Sequence, residues 1–369
     1  MSRPEETPVQ PGRRSAGSLA ERDPRVPPQQ LVAELVPPPR FADVRFASYV
    51  PAPDQPTQAQ AVAGMSAFGE RVLDGGGRAR GGGLAGLFKR RSAPQGAPGI
   101  YLDGGFGVGK THLLSSLYHQ VVTEGGRTAA YGTFVEYTNL VGALGFRQAV
   151  DALAPHDLVC IDEFELDDPG DTVLMSRLMR ELVDRDVKLA ATSNTLPGAL
   201  GEGRFAAQDF QREIQALAGQ FAVQRVDGED YRHRGLPAAP APLDDAAVER
   251  VAAERAGATL DDFGAVLAHL AQVHPSRYGA MVRDTAAVCL RGVGTVSDQM
   301  VGLRLVVLAD RLYDRDIPVA ASGVPFDAVF TDELLHGGYR KKYLRAVSRL
   351  SALARDGAAL AQPAAGPVV

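Results

Sequence analysis

The chain has 369 residues, of which 45% are hydrophobic and 22% charged, with a formal net charge of -5, so it can form two or three folded units of ordinary globular composition. The acidic balance gives no support to a molecule-wide nucleic-acid footprint and is compatible with a local basic channel. Cys160 and Cys289 are too few and too far apart for a disulfide framework or a zinc site, no apolar run reaches the roughly 20 residues of a membrane-spanning helix, and MSRPEETPVQPGRRSAG lacks the apolar core of a secretory leader, so a cytoplasmic setting is expected.

Residues 1–38, rich in Pro, Ser and mixed charge, read as a disordered or loosely attached tail. FADVRFASYVPAPDQPTQAQAVAGMSAFGERV then opens the folded region and ends in a helix with Ala61, Met65, Phe68 and Val72 at helical spacing. GGGRARGGGLAGLFKRRSAPQGAPG reads as a flexible loop carrying Arg78, Arg80, Lys89, Arg90 and Arg91. A solvated linker is its simpler interpretation, and contact with nucleic acid or acidic lipid is the other.

The middle of the chain alternates strand and helix as a parallel α/β unit does. The strands are GIYLDG, TAAYGTFVEY, LVCIDEF, VKLAATSN and FAVQRVDG. Between them lie helices in HLLSSLYHQVVTE, near LVGALGFRQAVDALA, from Asp171 to Arg185, and near DFQREIQALAG. Beyond about residue 235 the pattern turns mainly helical, in DDAAVERVAAERA, DDFGAVLAHLAQVH and LRLVVLADRLYD, and strand character returns near 317–322. YRKKYLRAVSRLSALA is a basic amphipathic helix with Leu344, Val347, Leu350 and Leu353 on one side, read as a packed terminal helix with partner binding as the alternative. The expected organisation is a tail at 1–38, an α/β core with an N-terminal helical segment at 39–235 and a mainly helical C-terminal region at 236–369.

Gly104-x4-Gly109-Lys110-Thr111 matches the P-loop pattern in full, with a strand before it and a helix after it. Its glycines let backbone N–H groups approach phosphate oxygens, and the helix aims its positive end at them. The phosphate cradle is expected to run through Gly104, Gly105, Phe106, Gly107, Val108, Gly109, Lys110, Thr111 and His112. Lys110 would reach the β- and γ-phosphates of ATP and Thr111 would hold Mg2+. LVCIDEF ends an apolar strand in Asp162, suited to a Mg2+ contact, and Glu163, suited to polarise a water. Glu165, Asp167, Asp168 and Asp171 fit turn and helix-capping roles better than metal ligation.

The strand VKLAATSN ends in Asn194, one helix after Asp162, where neighbouring strand ends share the crevice above a P-loop. Asn194 can orient the attacking water or read the γ-phosphate; alone, an Asn before TLPG is equally a turn residue. The order P-loop, Asp-Glu, Ser-Asn resembles AAA+ ATPases, which implies an α/β P-loop NTPase fold: a parallel sheet flanked by helices, with a mainly helical C-terminal lid. Such machines take an arginine from a neighbouring subunit, for which Arg204 in GEGRF is preferred over Arg212 in DFQREI. A later arginine would touch the nucleotide in cis, with Arg304 preferred over Arg277.

The segments GGFGVGKTHLL, LVCIDEFELDDPGD, MSRLMRELVDRDVKLAATSN, VDGEDYRHR and LRLVVLADRLYDRDIPVAASG together resemble the ZapE family of bacterial cell-division ATPases and its mitochondrial relatives. FASYVPAPDQPTQAQA is similar to the family's Tyr-containing segment and the Gln that follows it near the nucleotide base. The resemblance implies catalytic roles for Lys110, Asp162, Glu163 and Asn194, metal contacts from Thr111 and Asp162, and ATP with Mg2+ as cofactors. It further implies self-association in the ATP state, a protein client in the tubulin-like division ring protein, and peripheral contact with membrane-associated division machinery. LGEGRFAAQDFQREIQ departs from the family's usual Gln-Arg segment. No NKxD base-reading motif occurs, which argues against a P-loop switch. A helicase-loader-like ATPase touching nucleic acid and a non-hydrolysing ATP-dependent adaptor are the alternatives.

Overall fold

The computed structural model describes residues 16–25, 27–75, 97–105, 107–164, 169–195, 215, 218–228 and 239–362. They divide into two units, one within Val26–Leu236 and one combining Met1–Arg25 with Pro237–Val369.

In the first unit a short helix α1 (Pro28–Ala33) precedes the long α2 (Pro56–Gly75), which buries Ala61, Met65, Phe68 and Val72 at the helical spacing read from the sequence. The strands β1 (Gly99–Gly104), β2 (Ala129–Thr133), β3 (Leu158–Asp162), β4 (Lys188–Ser193) and β5 (Phe221–Val226) form one parallel sheet in the order β2-β3-β4-β1-β5. All six residues of β1 are buried, because layers of helix cover both faces. Alternate residues serve opposite faces. Ile100 and Leu102 pack with Leu113, Leu114 and Leu117 of α3 (Lys110–His119) and with Met65 and Phe68. Tyr101 faces the other side, edge-on to Phe164 and Phe221 with ring centres 6.4 and 5.6 Å away. Each such buried side chain contributes about 2 kcal/mol of apolar transfer.

The strand expected over TAAYGTFVEY stops at Thr133, and α4 (Phe134–Leu144) begins at once. Thr133 and Glu136 form a reciprocal capping box, so the T-x-x-E pattern converts an apolar, aromatic stretch into a helix start. The single helix expected next is two, α4 and α5 (Phe146–Leu153), parted at Gly145, whose φ of 81° a helix interior cannot use. Helix α6 (Pro169–Val183) joins β3 to β4.

The second unit contains the expected return strand as β8 (Val319–Gly323), joined by two further strands, β6 (Ala258–Asp262) and β7 (Ala287–Val293), in the parallel order β6-β7-β8. Around them lie α7 (Asp245–Glu254), α8 (Phe263–Gln272), α9 (Gln299–Asp314) and α10 (Arg340–Leu360). Asp261 and Asp262, expected inside a helix, instead end β6.

Residues 16–25, expected to be loosely attached, are built into this unit. Gly17 adds a parallel bridge to Thr259, Leu19 is fully buried, and Asp261 accepts from the Leu19 and Ala20 amides and the Ser18 hydroxyl at 2.9, 3.2 and 2.6 Å. The Arg22 guanidinium donates to Met281 O and Thr285 Oγ1, each at 2.7 Å. One apolar residue and one buried carboxylate thus outweigh the polar composition that suggested a tail.

Helix α10 packs through Tyr343, Ala346, Leu350 and Leu353, with Val347 partly buried on the same core; of the expected stripe, Leu344 is turned outward at 38% exposed. Among the described residues no helix is long and apolar enough to cross a membrane.

Candidate functional site

The site is built where the C-terminal ends of β1, β3 and β4 meet. Register aligns Asp103 of β1 with Ser193 of β4, and Ile161 of β3 with Ala191 of β4, so the segments following all three strands emerge at one edge of the sheet. In parallel α/β sheets this edge is where ligands bind.

The loop after β1 turns through Gly107 and Gly109, both left-handed with φ of 71° and 88°. Gly109 is the N-cap of α3, so the cap residue has no side chain to accept from the first turn, and those N–H groups face the loop. A Cβ on Gly109 would also lie 2.4 Å from Tyr49 Cε2. Only glycine meets both demands. Tyr49 donates its hydroxyl to Val108 O at 2.7 Å, and its ring packs edge-on to His112. Burial pushes the Tyr49 phenol up to about 12, so it remains a donor at every working pH. His112 Nε2 lies 3.0 Å from Ser48 Oγ and 3.1 Å from Arg45 O; burial holds the imidazole below its ordinary value, opposed by that backbone contact. Buried Gln58 bridges Ala52 N and Asp227 O, both at 2.8 Å, tying the segment before α2 to the end of β5.

Lys110 is turned back over the loop. Its ammonium donates to the carbonyls of Gly104 and Gly105 and to Asn194 Oδ1, the first and last at 2.9 Å. Thr111 Oγ1 lies 3.4 Å from Asp162 Oδ1. Asp162 is buried and held at both oxygens, by the Thr192 hydroxyl on Oδ1 and by Tyr131 Oη on Oδ2 at 2.9 Å. Burial pushes the Asp162 carboxyl up, as does the charge of Glu163, while the hydrogen bonds from Thr192, Tyr131 and Thr111 pull it down; the net direction is upward. A cation beside Asp162 and Thr111 would offset that cost. One buried carboxylate next to one hydroxyl is the donor set Mg2+ takes when phosphates and waters complete its shell. The residues therefore fit both a nucleotide triphosphate tail and its magnesium ion.

Glu163 has a φ of 52°, unusual for a residue with a Cβ. It is held there from both sides: its own N–H donates to Thr192 Oγ1 at 3.1 Å, and Phe164, fully buried, donates its N–H to Thr192 O at 2.6 Å. Left-handed non-glycine backbone of this kind costs about 1–3 kcal/mol and concentrates at functional sites.

Of the residues singled out in the sequence, Gly104, Gly105, Gly107, Val108, Gly109, Lys110, Thr111, His112, Asp162, Glu163 and Asn194 thus lie along one sheet edge. Phe106, Arg204 and Arg212 fall outside the described residues, as do most of the Gly/Arg stretch and Glu165, Asp167 and Asp168. Arg304 belongs to the second unit, where its guanidinium donates to Leu270 O and, at 3.1 Å, to Val273 O, capping the end of α8. Arg277 pairs with Asp23 at 3.1 Å in the same unit. Sequence reasoning passed over Tyr131 and Thr192, because a tyrosine and a threonine inside apolar strands carry no local sign of the carboxylate they share. The signal available was the polar end of AATSN, three consecutive hydrogen-bonding side chains after a buried run.

A P-loop following the first strand, an acidic pair at the end of a strand two places away and an asparagine just past the strand between them define an AAA+-like P-loop ATPase fold. The AFG1-like ATPase family matches residues 25–253 and 247–360. The chain belongs to that family. It is 32% identical over 146 residues to the cell division protein ZapE of Escherichia coli K12, covering 37% of this chain and 39% of that protein. It is 28% identical over 169 residues to an uncharacterized protein of Schizosaccharomyces pombe, covering 40% of this chain and 37% of that protein. The matched stretches thus span about two-fifths of these relatives. Among solved structures, DnaI aligns with 55% of this chain and 98% of its own at 13% identity and a TM-score of 0.40, and the DnaC helicase loader at 14% identity and 0.34. Likeness at that level assigns neither protein's role.

Proposed function

We propose that this protein hydrolyses ATP, with Mg2+, and couples the cycle to remodelling a protein client. The observation that carries the reading is the shared neighbourhood of Lys110, Asn194, Thr111 and Asp162, with the Lys110–Asn194 contact at 2.9 Å and the Thr111–Asp162 contact at 3.4 Å. Bound Mg·ATP would supply the scissile phosphoanhydride and the cation that offsets its charge. Lys110 exchanges its loop carbonyls for phosphate oxygens, a stronger charge-assisted bond. Thr111 and Asp162 would hold the cation. Glu163 accepts the proton of a water, and Asn194 holds that water or the terminal phosphate in line. An arginine in trans, Arg204 before Arg212, completes the site when copies assemble.

For the client, the family resemblance implies the tubulin-like ring protein, and the similarity to a protein named for cell division supports a cell-division setting. Two variants test the reading. Lys110→Ala is expected to lose nucleotide binding, and Glu163→Gln to keep binding while turnover falls at least a hundredfold. Equal, near-zero turnover in wild type and Glu163→Gln with intact ATP binding would replace the enzyme by an ATP-dependent adaptor. Glu163→Gln loaded with ATP is then mixed with purified ring protein and, separately, with a single-stranded oligonucleotide. Retention of the ring protein supports the client assignment. Salt-sensitive retention of the oligonucleotide alone would overturn it in favour of a helicase-loader-like role.

A further inference from the structure

We infer that Thr192 is a positioning residue for hydrolysis: together with Asp162 Oδ1, which also accepts the Glu163 N–H at 3.1 Å, it sets the backbone of the base, Glu163, and it links that backbone to the strand that leads into Asn194. This rests on the ATPase reading above. The β3–β4 ladder runs from Leu158 opposite Lys188 to Ile161 opposite Ala191 and ends there. Where the next pair would form, Thr192 takes over with its side chain. Its hydroxyl donates to Asp162 Oδ1 and accepts the Glu163 N–H at 3.1 Å, so one oxygen joins the metal-site carboxylate to the backbone of the base. Its carbonyl accepts the Phe164 N–H at 2.6 Å. Thr192 is 1% exposed, so these bonds have no competition from solvent.

The chain needs such a clamp because Glu163 sits at a φ of 52°. An extended residue there would continue β3 and carry the Glu163 side chain away from the edge that Asp162 and Asn194 share. Holding the strained turn takes a donor–acceptor group at the end of the neighbouring strand, and a threonine supplies both functions from one atom. Thr192, which holds the acidic pair, lies two residues before Asn194, which follows β4 directly and accepts from Lys110 at 2.9 Å. A shift of this strand's end that follows a change at Asn194 is delivered to Glu163 through Thr192.

The test compares wild type with Thr192→Val, nearly the same shape without the hydroxyl, and Thr192→Ser, which keeps it. For Thr192→Val, kcat is expected to fall at least tenfold while KM and the affinity for a fluorescent ADP analogue stay within about twofold; Thr192→Ser recovers to within about threefold of wild type. Independently of turnover, hydrogen exchange in the nucleotide-free chain should speed up at least tenfold at the Glu163 amide in Thr192→Val and stay protected in Thr192→Ser. If Thr192→Val does not fold, Thr192→Cys replaces it. Unchanged kcat and unchanged exchange in the hydroxyl-less variant overturn the proposal, as does a serine variant as impaired as the valine one. A wild type no faster than Glu163→Gln would instead defeat the ATPase reading, and the exchange arm would still report whether Thr192 holds Glu163.

Discussion

At the scale of single residues, the loop geometry is decided by where a Cβ can and cannot exist. Gly109 combines a left-handed φ of 88° with the Tyr49 ring at 2.4 Å from the Cβ it lacks. Gly109→Ala is therefore expected to cost about 1–3 kcal/mol of stability and to push Tyr49 off Val108 O. A thermal melt reads the first effect, and titration with a fluorescent ATP analogue reads the second as at least tenfold weaker binding. Unchanged values in both would mean the loop is more pliant than its packing indicates. Lys110, Thr111 and Gly109 were legible in the sequence because the P-loop is a contiguous pattern whose chemistry does not depend on distant residues. Thr192 and Tyr131 were not legible: each acquires its role only by reaching Asp162 from a neighbouring strand, and strand order is not written in local spacing.

At the scale of elements, helices α9 and α10 are joined by a buried triad. Arg345 Nη2 donates to Asp310 Oδ2 at 2.8 Å and Arg349 to Asp310 Oδ1, with all three side chains at most 15% exposed. Burial pushes the Asp310 carboxyl up, and the two guanidinium charges more than offset it, leaving it below its ordinary value. A carboxyl whose folded pKa lies below its unfolded value stabilises the fold above the unfolded pKa of about 3.9 and loses that contribution as pH falls through the folded value. Asp310→Asn is thus expected to cost about 3 kcal/mol near pH 7. The gap from wild type should close in denaturant melts taken progressively below pH 4, and a gap independent of pH would refute the assignment. The pairing was out of reach of sequence reading. Arg345 and Arg349 belong to the basic amphipathic helix read in the sequence, and only the packing of α10 on α9 makes them partners of one aspartate.

At the scale of the whole molecule, the chain order and the spatial order differ. Residues 16–25 are part of the same unit as residues beyond 237, so the ATPase unit is an excursion between two stretches of the other. The proposed arginine in trans makes assembly part of the active state. Glu163→Gln with Mg·ATP is expected to run as a higher-mass species than the nucleotide-free chain in light scattering, and Arg204→Ala should lower turnover without lowering ATP affinity. A monomer under saturating ATP at working concentration would remove the arginine-finger proposal.

Sequence alone determined the P-loop pattern, the Asp162–Glu163 pair, the candidacy of Asn194 and the alternation of strand and helix that implies a parallel sheet. These are local patterns, and local patterns survive without knowledge of what lies across the sheet. Tertiary structure decided the strand order that brings β3 and β4 together, the left-handed turn at Glu163 and the burial of Leu19 within the second unit. Each depends on contacts between residues far apart in the chain, where the free energy of burial and of satisfied buried hydrogen bonds outweighs local preference.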